Sequence, residues 1–227
     1  MRLVLAILAA ATLVAAADLG ENPITRLTAR MAQTDRERLK TLDRYSGTLH
    51  YVLNNRRFKT HAEMTVRMAY GPGGTKEFQV LSESGSAWVR KYVFRRLIRA
   101  EQENARGAAH QETRITPDNY SFRLIGMEPA NGRLCYLLDA TPRTKNKYLF
   151  RGRVWVDAED AAVSRIEGSP AQNPSLWTAS VHFVHQYKKV GPYWLAASNI
   201  SQTEVRIFGS TELKVEYSDY VVNAGTR

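Results

Sequence analysis

Five histidines, one cysteine and a knot of carboxylates are the groups in this 227-residue chain best able to hold a metal or act on a substrate. His182 and His185 are three apart, a spacing that puts them on opposite faces of a strand, so they cannot chelate one ion together. If the first hairpin turns at Asn55-Arg56, His50 sits across from His61, and two histidines without a third ligand fall short of a zinc set. Cys135, between Leu134 and Tyr136-Leu137-Leu138, reads as a buried, inert thiol, and a single cysteine rules out an intrachain disulfide. Serines are present, but no Gly-x-Ser-x-Gly elbow holds one. Asp157, Glu159 and Asp160 crowd one turn, where the expected role is turn formation and solubility rather than acid–base work. Gly71-Pro72-Gly73-Gly74 lacks the spacing and the following Lys-Ser/Thr of a phosphate loop. These residues predict no enzyme, no cofactor and no metal.

The amino terminus points to export. Arg2 precedes an apolar run from Leu3 to Ala17, and Ala15-Ala16-Ala17 before Asp18 supplies the small residues of a signal-peptidase cut. That run is shorter than the roughly 20 residues needed to span a bilayer. Residues 1–17 are thus read as a removed secretory signal, leaving residues 18–227 as one soluble domain in the periplasm. Asp18 stands at the cut where a lipoprotein would carry a cysteine, so no lipid anchor is expected. The formal charge of +10 favours anionic surfaces. Outside the cytoplasm such a surface is a phospholipid leaflet or an acidic envelope partner, and nucleic acid is excluded. Plain solubility charge explains the same excess.

These residues must be positioned by a sheet. Ile24, Leu27, Met31, Leu39 and Leu42 after Pro23 predict an amphipathic helix. From Ser46 the period becomes two: Leu49, Tyr51 and Leu53 share one face, Asn54-Asn55 turns, and Met64, Val66, Met68 and Tyr70 continue it. After Gly71–Gly74 a third strand carries Phe78 and Val80. Val89, Val93 and Leu97, with Trp88 and Tyr92 beside them, then predict a second helix that Arg90, Lys91, Arg95, Arg96 and Arg99 make strongly basic. Glu101–Thr113 reads as a loop. Strands follow over Tyr120–Gly126, Leu134–Ala140, Tyr148–Asp157 and Val163–Glu167, then Ser180–Lys188 and a closing hairpin about Gly209. The sum is an α+β chain: one large curved antiparallel sheet of about 10–11 strands, an unclosed half-barrel covered on its concave side by helices.

One face of that sheet, with the helices, has the composition of an apolar pocket. Its candidate lining is Leu49, Tyr51, Met64, Val66, Met68, Phe78, Val80, Trp88, Tyr92, Phe122, Leu124, Tyr136, Val181, Phe183, Val205 and Ile207. Flexible thioethers at Met64 and Met68 suit ligands of varied shape. Periodicity fits a close-packed core of the same residues equally well. The basic helix has three readings: a lid over the pocket, a surface for anionic lipid, or a solvated face.

Gly152-Arg153-Val154-Trp155-Val156-Asp157, the acidic turn and Val163–Glu167, with Tyr187–Leu195 and the Gly209 hairpin, resemble the LolA-like periplasmic lipoprotein-sorting carriers. That group shares its fold with LppX-type lipid carriers and the amino-terminal domain of the MucB/RseB regulators. The resemblance implies a non-enzymatic carrier or chaperone that shelters acyl chains of a lipoprotein or other lipid on the way to the outer membrane. Tyr45-Ser46-Gly47-Thr48 is closer to the MucB/RseB start. A regulator that senses lipid or lipoprotein and binds an envelope partner therefore stands beside the carrier.

Overall fold

The computed structural model describes residues 22–104, 114–146, 148–172, 178–205 and 209–223. The expected signal at 1–17 lies outside them, as do Ile207, the side chain of Val205 and most of the loop before Arg114.

The chain begins with α1 (Pro23–Thr41), whose first turn is fixed by Pro23 and by Asn22, which accepts from Ile24 N at 3.0 Å. Three strands follow, β1 (Tyr45–Asn55), β2 (Thr60–Gly71) and β3 (Thr75–Gly85), with a short 3-10 turn at Pro72–Gly74. A helix capped by Ser86 runs as α2 (Ala87–Val89), a π-helical turn (Arg90–Phe94) and α3 (Arg95–Asn104). The rest is a meander: β4 (Tyr120–Ala130), β5 (Arg133–Pro142), β6 (Phe150–Asp157), β7 (Val163–Pro170), β8 (Thr178–Val190), β9 (Tyr193–Val205) and β10 (Gly209–Val222).

All ten strands form one antiparallel sheet in the order β3-β2-β1-β10-β9-β8-β7-β6-β5-β4. Because β10 returns to pair with β1, the two edges are β3 and β4, and they do not pair with each other. The sheet stays unclosed, and the chain crosses from one edge to the other through α2 and α3. The sequence-based fold, a single half-barrel sheet with one helix before it and one inserted after its third strand, is the fold observed.

The helices divide the inner face between them. Leu27 and Met31 of α1 pack on Tyr120, Leu138, Phe150, Val154 and Ile166, while Val89 and Phe94 pack on Leu49, Tyr51, Met64, Val66 and Met68. Val89 and Phe94 are five residues apart, and the wider π turn between them brings both onto the sheet. The sequence spacing of four, Val89-Val93-Leu97, does not include Phe94, which is fully buried; Val93 and Leu97 are only half-buried.

The first hairpin also departs from expectation. Asn54 and Asn55 remain in β1, and the turn falls on Arg56–Lys59, with Lys59 at φ 48° and Asn55 Oδ1 accepting from Phe58 N at 3.0 Å. His50 therefore pairs with Thr65, and Asn54 with His61. Among the described residues no group of three or more His, Cys, Asp or Glu side chains is arranged to hold a metal.

Candidate functional site

The acidic turn between β6 and β7 is a structural anchor. Asp157 is buried and accepts from Arg133 Nε at 2.5 Å, from Glu159 N at 3.1 Å and from Asp160 N at 2.8 Å. Burial works against its charge, but the Arg133 guanidinium and the two backbone N–H groups hold its carboxyl below the usual range. Ala161 adopts φ 52° to close the turn. The turn then serves as a dock: Arg30 of α1 donates to Glu159 O at 3.2 Å, and Thr34 donates to Asp160 O at 3.1 Å. Trp194 Nε1 donates to Asp160 at 2.8 Å, bringing the start of β9 to the same point.

Farther along α1, Tyr193 Oη donates to Thr41 O at 2.9 Å, so the carboxyl end of the helix is tied to β9 as well. Between α1 and α3 no described residue covers the inner face. A cleft of about 880 Å³ opens there. Its aromatic and apolar surface comes from Tyr45, Tyr70, Tyr187, Tyr193, Trp194 and Leu195, with Met31, Ala32 and Leu39 on the α1 side. Tyr45 stacks on Tyr70 with ring centroids 4.9 Å apart and meets Tyr220 at 6.1 Å, which makes a continuous aromatic wall.

The cleft is also charged. Asp35 is bracketed by Arg38 at 2.9 Å and Arg114 at 2.7 Å; burial opposes its ionisation, and the two guanidinium groups still lower its pKa. On the opposite wall Lys76 of β3 meets Glu101 of α3 at 2.9 Å. The lining thus combines tyrosine and leucine surface with two sets of ion pairs, Asp35 with Arg38 and Arg114, and Lys76 with Glu101. Burial raises the phenols of Tyr45 and Tyr187, which keeps both hydroxyls protonated.

None of the fourteen sequence-derived residues whose side chains the structure describes lines this cleft. Leu49, Tyr51, Met64, Val66 and Met68 are at most 2% exposed and fill the cluster under Phe94. Phe78 is half-buried against that cluster, and Phe122, Tyr136 and Phe183 are half-buried against the cluster under α1. Val181 is half-buried on β8.

Four of the described members of the set are exposed. Val80 and Leu124 stay on the inner face, opposite the buried Val66 and Leu138, and are 38% and 40% exposed because each sits on an edge strand of the sheet. Trp88 is 65% and Tyr92 52% exposed, turned away from the sheet on which Val89 and Phe94 pack. The residues that do line the cleft were passed over because they sit at strand ends and helix flanks, where periodicity is silent. The signal that remained was the placing of tyrosines toward strand ends, Tyr45, Tyr70, Tyr187 and Tyr193.

No protein-family model matches the sequence. No curated protein matches it either. Among solved structures the chain is similar to a DUF1329 family protein from Desulfovibrio piger, at 12% identity and TM-score 0.46 over 91% of this chain and 96% of that one. It is similar to a LolA superfamily protein from Nitrosomonas europaea at 9% identity and TM-score 0.47, covering 88% and 94% of the two chains. For the lipoprotein LppX of Mycobacterium tuberculosis the figures are 9%, 0.27, 89% and 98%. Likenesses this distant assign no ligand and no partner.

Proposed function

We propose that the protein is a non-enzymatic carrier that shelters the acyl part of a lipid or lipoprotein in the cleft between α1 and α3. In this reading residues 1–17 direct export and are removed, and residues 18–227 work as one soluble domain in the periplasm, passing cargo toward the outer membrane.

The observation that supports it is the cleft. At about 880 Å³ it is within the range of roughly 300–1,000 Å³ found for small-molecule sites. Its tyrosine and leucine surface can take an alkyl chain, and Arg38, Arg114 and Lys76 can take a polar head. Each methylene removed from water would contribute about 0.8 kcal/mol, so a chain of modest length is held without any covalent step. The half-buried sheet residues Phe78, Phe122, Tyr136, Val181 and Phe183 are those of the sequence-derived set able to meet a chain that runs past the cleft. The closed-core residues hold the two helices in place.

Filling the cleft tests the proposal. Ala32 of α1 and Ala196 of β9 both line it. Ala32→Trp and Ala196→Trp should each weaken binding of a fluorescent fatty acid by about tenfold or more while the unfolding midpoint stays close to that of the parent. Undiminished binding in both folded variants would contradict it.

A further inference from the structure

The helix that walls the cleft presents a second, different surface. Its buried side is Val89, Phe94 and the half-buried Val93, Leu97 and Ile98. Its outer side carries Trp88, Lys91, Tyr92, Arg95, Arg96 and Arg99, all exposed. Spacings of three and four residues set these six along one stripe, aromatic at its start and cationic toward its end.

Two features separate this stripe from an ordinary solvated helix face. The first is the aromatic pair: Trp88 and Tyr92 are the most exposed rings on this helix and lie 5.7 Å apart, centroid to centroid, with nothing of the described chain covering them. A large indole left in water at 65% exposure is not accounted for by solubility. The second is the state of the cations. Arg95 reaches Glu83 at 3.4 Å, but Arg96 and Arg99 make no ion pair among the described residues, and Lys91 lies 5.2 Å from the Tyr92 ring centroid.

We infer that this stripe docks the protein on an anionic phospholipid surface. Trp and Tyr prefer the headgroup level of a bilayer, where the ring body meets acyl chain and the polar tip meets water. Unpaired Lys and Arg beside them supply attraction to anionic headgroups that decays within a Debye length. Here the apolar helix side is already spent on the sheet, so contact is superficial and reversible rather than inserted. Glu101, two residues beyond Arg99, lines the cleft, so docking through this helix brings the cleft wall to the membrane surface. The surface is defined without reference to what the cleft holds.

The test uses the full mature chain and vesicles of phosphatidylglycerol with phosphatidylethanolamine, compared with phosphatidylcholine alone. The parent should co-sediment with the anionic vesicles only, and rising salt should release it. Trp88→Ser with Tyr92→Ser, and separately Lys91→Glu with Arg96→Glu, should each lower the bound fraction at fixed lipid by about tenfold, with fatty-acid probe binding unchanged. Phosphatidylglycerol brominated on its acyl chains should quench the parent's tryptophan emission, and Trp88→Phe should abolish most of that quenching. Absence of parent binding to anionic vesicles would overturn the inference, and so would equal binding by both double variants. Capture of an acidic protein face by the same stripe, without vesicle binding, would also overturn it.

Discussion

Lys76 Nζ lies 2.9 Å from a Glu101 carboxylate oxygen, which joins edge strand β3 to the last turns of α3 across one wall of the cleft. Gln102 donates to Lys76 O at 3.2 Å, and Tyr217 Oη donates to Glu101 at 3.5 Å, so the pair is part of a wider clasp. Lys76→Met and Glu101→Gln should each lower stability by about 1–3 kcal/mol, since each leaves a partly buried partner unmatched. Both should also speed release of a bound fluorescent fatty acid severalfold. The double variant should cost less than the sum of the singles, which a denaturant-based double-mutant cycle measures.

The core beneath Phe94 contains an unmet polar group. The Tyr51 ring is 1% exposed and 5.7 Å from that of Phe94, and its hydroxyl has no hydrogen-bond partner among the described residues. Tyr51→Phe should therefore raise stability by about 1 kcal/mol, read from urea unfolding. On β2, Met68→Asp should cost more than about 3 kcal/mol, because it buries a carboxylate in a cluster 2% exposed at that position, whereas Arg67→Asp on the outer face should stay within about 0.5 kcal/mol.

Gly152 of β6 pairs with Gly168 of β7, and a Cβ at either position would collide with the opposite backbone, at Glu167 O or Arg151 O. Gly152→Ala should cost at least about 2 kcal/mol and weaken probe binding, because the same hairpin carries the turn on which α1 docks. Arg153→Ala, exposed next to it, should leave the unfolding midpoint nearly unchanged.

His185 points to the inner face beside Phe183, ring centroids 4.9 Å apart. Burial outweighs the attraction of Glu101 and pulls the imidazole down to about 4. The folded state thus refuses a proton that the unfolded chain accepts near 6.5, so stability is complete above that value and falls as the pH drops toward 4. Acidification from pH 7.5 to 5 should cost on the order of 2 kcal/mol, and His185→Gln should remove most of that slope. Carboxylates such as Asp35 and Asp157, with lowered pKa values, act in a separate window below about pH 4.

Much of the sheet was legible because its inner residues keep a strict period of two. Leu49-Tyr51-Leu53 and Met64-Val66-Met68 are buried as their alternation requires. Departures had two sources: the π turn buries Phe94 in place of Val93, and the edge position of β3 and β4 leaves Val80 and Leu124 exposed although they keep the inner phase. The cleft was not legible for a different reason. It is the gap left where two helices cover different halves of one sheet, and its lining comes from α1, α3, turns and the ends of six strands, β1, β2, β3, β7, β8 and β9. No local window of sequence contains that gap.

The central claim is that the cleft between α1 and α3 carries an acyl chain. Native mass spectrometry of the protein, purified without detergent from its own cells, tests it most directly. The account predicts a population heavier than the polypeptide by the mass of a lipid or acylated cargo, reduced in Ala32→Trp and Ala196→Trp. A protein that is always empty, and that also fails to bind fluorescent fatty acids, would contradict it.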